Sequence, residues 1–200
     1  MEMTGEQLIP ASQELTWAAL NDPEVLKACV PGCESIDRVT DTEYTVQMTA
    51  RVGPVAAKFK GKLALSDLKP PQSYSIVFEG QGGVAGFGKG SAHVELTPEG
   101  EATRLSYAVK AHVGGKLAQI GSRLVDAAAR KLAGDFFTAF NEKVASLHGP
   151  AAHEHAEEHA EHLPQPVPRD PDLPDLPPSS LAFFAAGALV VVLVSLLVLL

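Results

Sequence analysis

Between Lys116 and Ser146 the apolar positions recur every three or four residues: Leu117, Ile120, Leu124, Ala128, Leu132, Phe136, Phe140 and Val144. That spacing lays one wide stripe along a helix. Lys116, Arg123, Asp126 and Arg130 fall largely on the opposite side, with Asp126 placed to pair with Arg130 one turn on. No proline interrupts the stretch. At about 1.5 Å per residue it predicts a helix roughly 45 Å long, so something equally long must cover the stripe. Gly121 and Gly134 lie inside it, each costing about 1 kcal/mol against alanine. Two readings account for them: close packing against a strand, or volume left for a ligand.

Upstream of this helix the period is mostly two. Residues 3–9 read as a first strand, ended by Pro10. Ser12 then caps a short helix over 13–21 that would bury Leu15, Trp17, Ala18 and Leu20. Asp22-Pro23 opens a second short helix, stopped by Pro31-Gly32. Strands are expected over 35–39, 43–52, 55–68, 73–80, 90–97 and 103–113. Their inward positions are Tyr44, Val46 and Met48; then Phe59, Gly61, Leu63 and Leu65; then Tyr74, Ile76 and Phe78; then Ala92, Val94 and Leu96; and last Leu105, Tyr107 and Val109. Short turns between neighbours make the sheet antiparallel, and one apolar face per strand means that only one side is covered. The expected fold is α+β: a curved antiparallel sheet wrapped around the long C-terminal helix, with two short helices after the first strand. One helix cannot fill so wide a sheet, and an apolar cavity is expected between them.

Charge is distributed unevenly. Residues 1–148 hold 15 Lys+Arg and 17 Asp+Glu, a net of −2; residues 149–180 hold one Arg and seven acids, a net of −6. A near-neutral folded part excludes nucleic acid as the expected partner, because neutralising phosphates needs a basic surface. The two cysteines, Cys29 and Cys33, lack the second pair a zinc site would need, and both read as reduced structural thiols. No metal site is expected. The first residues, MEMTGE, have no apolar core and are not read as a signal peptide.

The segment 80–90, GQGGVAGFGKG, holds six glycines in eleven residues. Positions 83–89 fit GxxxxGK, but Gly90 stands where a phosphate loop needs Ser or Thr, and a strand follows instead of a helix. Nucleotide binding is therefore excluded from the reading. A bulged hairpin accounts for the segment, as does a flap at a cavity mouth tipped by Val84 and Phe87. Lys58, Lys60 and Lys62 form a basic row on the outer face, readable as solvated strand surface or as a face for anionic headgroups or an acidic partner. No nucleophile elbow or acid–base pair stands out, and His93 and His112 are expected to face outward.

Residues 149–180 read as a linker. Its first half carries His153, His155, His159 and His162 among alanine and glutamate, and its second half is rich in proline, which favours extended polyproline II. Residues 181–200 contain no charge and one polar side chain, Ser195. Twenty such residues span the hydrocarbon of a bilayer, so a C-terminal transmembrane anchor is expected, with the 1–148 domain on the cytoplasmic side.

The runs NDPEVLKACVPGCESI, ARVGPVAAKFKGKLALSDL, EGQGGVAGFGKGSA and VGGKLAQIGSRL resemble the G-subunit family of carbon monoxide dehydrogenase. The resemblance covers about residues 1–146. It implies the helix-grip fold of lipid-transfer-like and birch-allergen-like proteins. It also implies an accessory, non-catalytic place beside a carbon monoxide dehydrogenase or related molybdenum hydroxylase. Such enzymes pass electrons to a membrane pool, and the acceptor is an isoprenoid quinone. A menaquinone-like molecule is thus the expected bound ligand, with no covalent cofactor. The expected cavity lining is Val46, Met48, Phe59, Leu63, Leu65, Ile76, Phe78, Leu105, Tyr107, Ile120, Gly121, Leu124 and Phe136, with Val84 and Phe87 at the mouth. A 32-residue linker spans roughly 30 Å if flexible and up to ~100 Å extended, enough to move between membrane and enzyme. The alternative is a ligand-free tether that only recruits the dehydrogenase.

Overall fold

The computed structural model describes residues 1–147. In chain order the elements are β1 (Glu2–Ile9), α1 (Gln13–Leu20), α2 (Pro23–Cys29), β2 (Cys33–Arg38), β3 (Glu43–Val52), β4 (Val55–Lys69) and β5 (Ser73–Gln81). A 3-10 turn at Gly83–Ala85 leads to β6 (Phe87–Glu99), β7 (Ala102–Gly114), α3 (Lys116–Gln119) and α4 (Ser122–Leu147). All seven strands join one antiparallel sheet in the order β1-β7-β6-β5-β4-β3-β2. Curving the sheet brings its apolar face around α4, which is the α+β arrangement that the alternation of apolar residues predicts.

The short helices form where their caps stand. Ser12 Oγ accepts from the Leu15 N–H at 3.3 Å, and Asp22 Oδ1 accepts from the Glu24 N–H at 2.9 Å, with Pro23 in the first turn. Thr103 Oγ1 donates to the Ala11 carbonyl at 2.8 Å and Gln13 Nε2 to the Leu96 carbonyl at 2.7 Å, tying α1 to β6 and β7. Trp17 meets Tyr74 edge-on at 5.3 Å, and α2 packs on β2 and α4. Thr16 and Ala19 are buried beside Trp17 and Leu20, whereas Ala18, expected inside, faces solvent.

Antiparallel connectivity sorts the turns into two ends. The β3–β4, β5–β6 and β7–α3 connections gather at one end, and the β2–β3, β4–β5 and β6–β7 connections at the other. Leu124, near the start of α4, reaches within 3.9 Å of where a Gly53 side chain would begin, so α4 starts at the first end. Asn141 Nδ2 donates to the Leu8 carbonyl at 3.4 Å, so the helix finishes towards the second.

The helix itself differs from the expectation of one rod over 116–146. It breaks at Gly121, whose φ of +94° no ordinary residue holds comfortably, leaving the four-residue α3 and the 26-residue α4. The buried stripe departs from the expected one in the first half of α4 and coincides with it from Phe136 on. Val125, Ala129, Ala133, Phe136, Phe137, Phe140 and Val144 are buried, Ala128 and Leu132 are half-buried, and Leu124 is 51% exposed. On the outer side the ion pair is Lys131 with Asp135; the expected pair of Asp126 and Arg130 does not form.

The expected linker (149–180) and transmembrane segment (181–200) lie outside the described residues. Among the described residues no helix is long and apolar enough to cross a membrane.

Candidate functional site

Strand register builds the inner face row by row. One row runs Tyr44, Leu63, Phe78, Gly90, Ala111, and the next towards the α4 start runs Val46, Gly61, Gly80, Gly88, Val113. On the other side lies Leu65, Ile76, Ala92, Val109, Met3. The second row thus places three buried glycines side by side on the middle strands. Strand glycines let a sheet bend and leave backbone bare where side chains would stand. The first half of α4 is also built from small groups, with Ala128, Ala129 and Ala133 on or beside its inner face. Its second half carries Phe136, Phe137 and Phe140; Phe136 meets Phe137 edge-on at 5.2 Å and stacks on Phe140 at 5.3 Å.

Nine of the candidate lining residues converge here: Val46, Met48, Phe59, Leu63, Leu65, Ile76, Phe78, Leu105 and Phe136 are all buried. Phe59, Leu63 and Phe78 are only 2–3% exposed, so these side chains meet protein on every side. Tyr107 and Ile120 are half-buried. Gly121 and Leu124 do not join the interior: the first forms the helix break, and the second lies on the surface because the 3.6-residue turn of α4 gives the inner place to Val125. The less tightly closed side lies between β7 and α4, where the inward positions Tyr107, Ala111 and Val113 face a helix carrying half-buried Ala128 and Leu132. Tyr107 stacks on Phe137 at 5.8 Å across this seam. Burial pushes its hydroxyl pKa up, with Arg130 pulling the other way.

Val84 and Phe87 sit on a seated turn. The Gly82 N–H donates to the Gly86 carbonyl at 2.8 Å, Ala85 is buried, and Gly86 lies against Gly114 and Gly115 so closely that a side chain there would meet the Gly114 carbonyl. Gly82 likewise lies against the Phe59 ring. Val84 is 84% exposed and Phe87 41%. The Phe87 ring covers Gly114 and tilts against His112 at 6.3 Å. The glycines of 80–90 therefore divide their work: Gly80, Gly88 and Gly90 belong to strands, and Gly82, Gly83 and Gly86 form the turn.

An open groove of about 920 Å³ lies on the outer face of the sheet. Its floor is the outward row Glu43, Ala64, Val77, Ser91, Lys110, Glu2 and the neighbouring Thr45, Lys62, Glu79, Lys89, His112. Alternation alone could not show it, because the hollow comes from the way the twisted sheet curves. Val77 is exposed at its centre, and Lys110 pairs with Glu2 at 3.5 Å. A shallower groove of about 290 Å³ lies beside Thr4, Glu6, His93 and Ser106. Of the basic row, Lys58 bridges Glu34 at 3.0 Å, and Lys62 stands beside Glu79 in the groove. His93 Nδ1 lies 3.2 Å from Ser75 Oγ. No group of three His, Cys, Asp or Glu among the described residues could hold a metal ion. Cys29 and Cys33 are free thiols whose pKa burial raises to about 11.

A curved seven-stranded sheet closed over a C-terminal helix, with two short helices in its first connection, defines the helix-grip class. Solved structures of that class align over most of this chain. A conserved protein from Geobacillus kaustophilus is 31% identical with a TM-score of 0.69, covering 73% of this chain and 96% of its own. The Zhui aromatase/cyclase from Streptomyces sp. R1128 is 12% identical with a TM-score of 0.58, covering 76% and 97%. Ara h 8.0201 is 16% identical with a TM-score of 0.52, covering 73% and 98%. The last two show the fold alone. The sequence pattern of the carbon monoxide dehydrogenase G-subunit family (CoxG) matches residues 5–145, and the chain belongs to that family. No curated protein matches it.

Proposed function

We propose that this chain is a non-catalytic, membrane-anchored accessory protein of a molybdenum carbon monoxide dehydrogenase or a related hydroxylase. It takes an isoprenoid quinone of the menaquinone type between sheet and helix and carries it between bilayer and enzyme. The family name supplies the enzyme. The observation that carries the ligand is the buried row Gly61, Gly80, Gly88 at the end of the sheet where the alanine-rich half of α4 begins, in an interior lined by apolar groups. A prenyl chain leaving the bilayer loses about 0.8 kcal/mol per CH2 unless another apolar surface receives it. Loading would part α4 from β7 along the seam of Tyr107, Ala111, Ala128 and Leu132, whose members are only half closed. The apolar segment 181–200 would hold the protein at the membrane.

Lipid extraction from the purified full-length protein, followed by mass spectrometry, tests the reading. An isoprenoid quinone in near-equimolar amount is expected. A protein that carries none and takes up no added menaquinone would refute it.

A second reading has its own observation. The near-complete burial of Phe59, Leu63 and Phe78, with a groove of about 920 Å³ on the opposite face, fits a ligand-free tether that recruits the dehydrogenase. Ala128→Phe separates the two: it fills the seam and should stop a carrier, while a tether that still folds keeps working.

A further inference from the structure

The two ends of the domain carry opposite charge. At the end where α4 begins, the segments 50–58, 81–89 and 112–125 hold Arg51, Lys58, Lys89, Lys116 and Arg123 and no acid. Glu34 approaches from β2 and is taken up by Lys58, Glu79 stands opposite Lys89 across β5 and β6, and Asp126 follows on α4, so the excess of positive charge at this end rests on Arg51, Lys116 and Arg123. At the other end the segments 37–43, 67–73 and 97–103 hold Asp37, Asp41, Glu43, Asp67, Glu99 and Glu101 against Arg38 and Lys69. The basic end also presents Val84, Phe87 and Leu124, at 84%, 41% and 51% exposure.

We propose that this basic end, with Val84 at its apex, docks on an anionic bilayer surface. Apolar side chains ringed by lysine and arginine match the interface of such a bilayer, where the first enter the headgroup region and the second meet lipid phosphates. A protein partner would have to be acidic around an apolar centre, while a membrane offers both everywhere. The chain length allows it. Leu147 ends α4 towards the acidic end, and the 33 residues 148–180 reach about 100 Å when extended, enough for the basic end to face the bilayer that a segment at 181–200 would occupy. The seam also starts here, at Val113 and Ile120, so docking would set it against the lipid. The inference rests on the protein working at a membrane, and not on its carrying a ligand.

The test uses the full chain with Val84→Cys carrying an environment-sensitive dye, and a second sample labelled at Glu101→Cys at the far end. Both sites are exposed, so folding is undisturbed. Vesicles are phosphatidylcholine alone, or with about a third phosphatidylglycerol. The dye at 84 should brighten and shift blue with the anionic lipid only, and lose most of that response in about 1 M salt, where screening is nearly complete. The dye at 101 should stay in water. Reversing Arg51, Lys116 and Arg123 to Glu together should abolish the response at 84. No response at 84, an equal response at 101, or indifference to lipid charge would overturn the proposal. Quinone co-purification is measured separately, so the two readings fail independently.

Discussion

The two ends of this domain are built from different material. Where α4 finishes, Phe136, Phe137 and Phe140 pack together, Trp17 meets Tyr74, and the short helices are tied to the sheet by Thr103 and Gln13. Where α4 starts, glycines line the strands, alanines line the helix, and a turn rests on backbone at Gly86 and Gly114. One end is a conventional core that holds the fold. The other buries Met48, Phe59 and Leu117 but sets small residues between them, and it leaves Val84, Phe87 and Leu124 exposed. The proposed carrier has use for that division, because stability and access then draw on different residues.

The largest test of the contrast is truncation. Phe140→Ala removes a ring that is 0% exposed and should cost about 3–5 kcal/mol, whereas Leu124→Ala should stay within about 0.5 kcal/mol; denaturant melts of both measure the gap. Equal losses would break the comparison. Next comes Gly86→Ala. Its φ of +122° and its seat on the Gly114 carbonyl should make this turn substitution cost about 1–3 kcal/mol, a penalty from backbone geometry where the phenylalanine loss comes from packing. Asp22→Ala removes the α2 cap and should cost about 1 kcal/mol by the same assay.

Smaller still at neutral pH is the thiol chemistry of Cys29 and Cys33. Burial raises Cys29 and Cys33 from an ordinary 9.0 to about 11, with Lys143 and Lys27 respectively opposing. Both pKa values rise on folding, so the stability this brings is complete below about 9 and is lost as pH climbs from 9 towards 11. Alkylation followed by mass spectrometry at pH 8 should leave both thiols largely unmodified until the protein unfolds. The least effect on stability belongs to Val84→Ser, within about 0.5 kcal/mol, although it should weaken the docking response.

Much of this was legible in the chain. Alternation fixes which face of each strand is buried, and it held for Val46, Met48, Phe59, Leu63, Ile76 and Phe78. Ser12 and Asp22 mark their helix starts because a cap needs only local chemistry. The family resemblance holds over residues 5–145. Periodicity failed at Gly121. A positive φ at Gly121 ends one helix and starts another, and along α4 a strict spacing of four drifts about 40° per step against the 3.6-residue turn, so Phe136, Phe140 and Val144 are buried as expected while Val125 takes the inner place expected of Leu124.

The strands, their inward faces, the short helices and the apolar character of the interior could all be read from the order of residues, since each depends on neighbours close in the chain. That Gly61, Gly80 and Gly88 stand in one row could not, because register is a relation between strands. Folding likewise brought five bases from three separate segments to one end and opened a groove on the outer face. Those features depend on how the sheet pairs and curves, and no single segment carries that information.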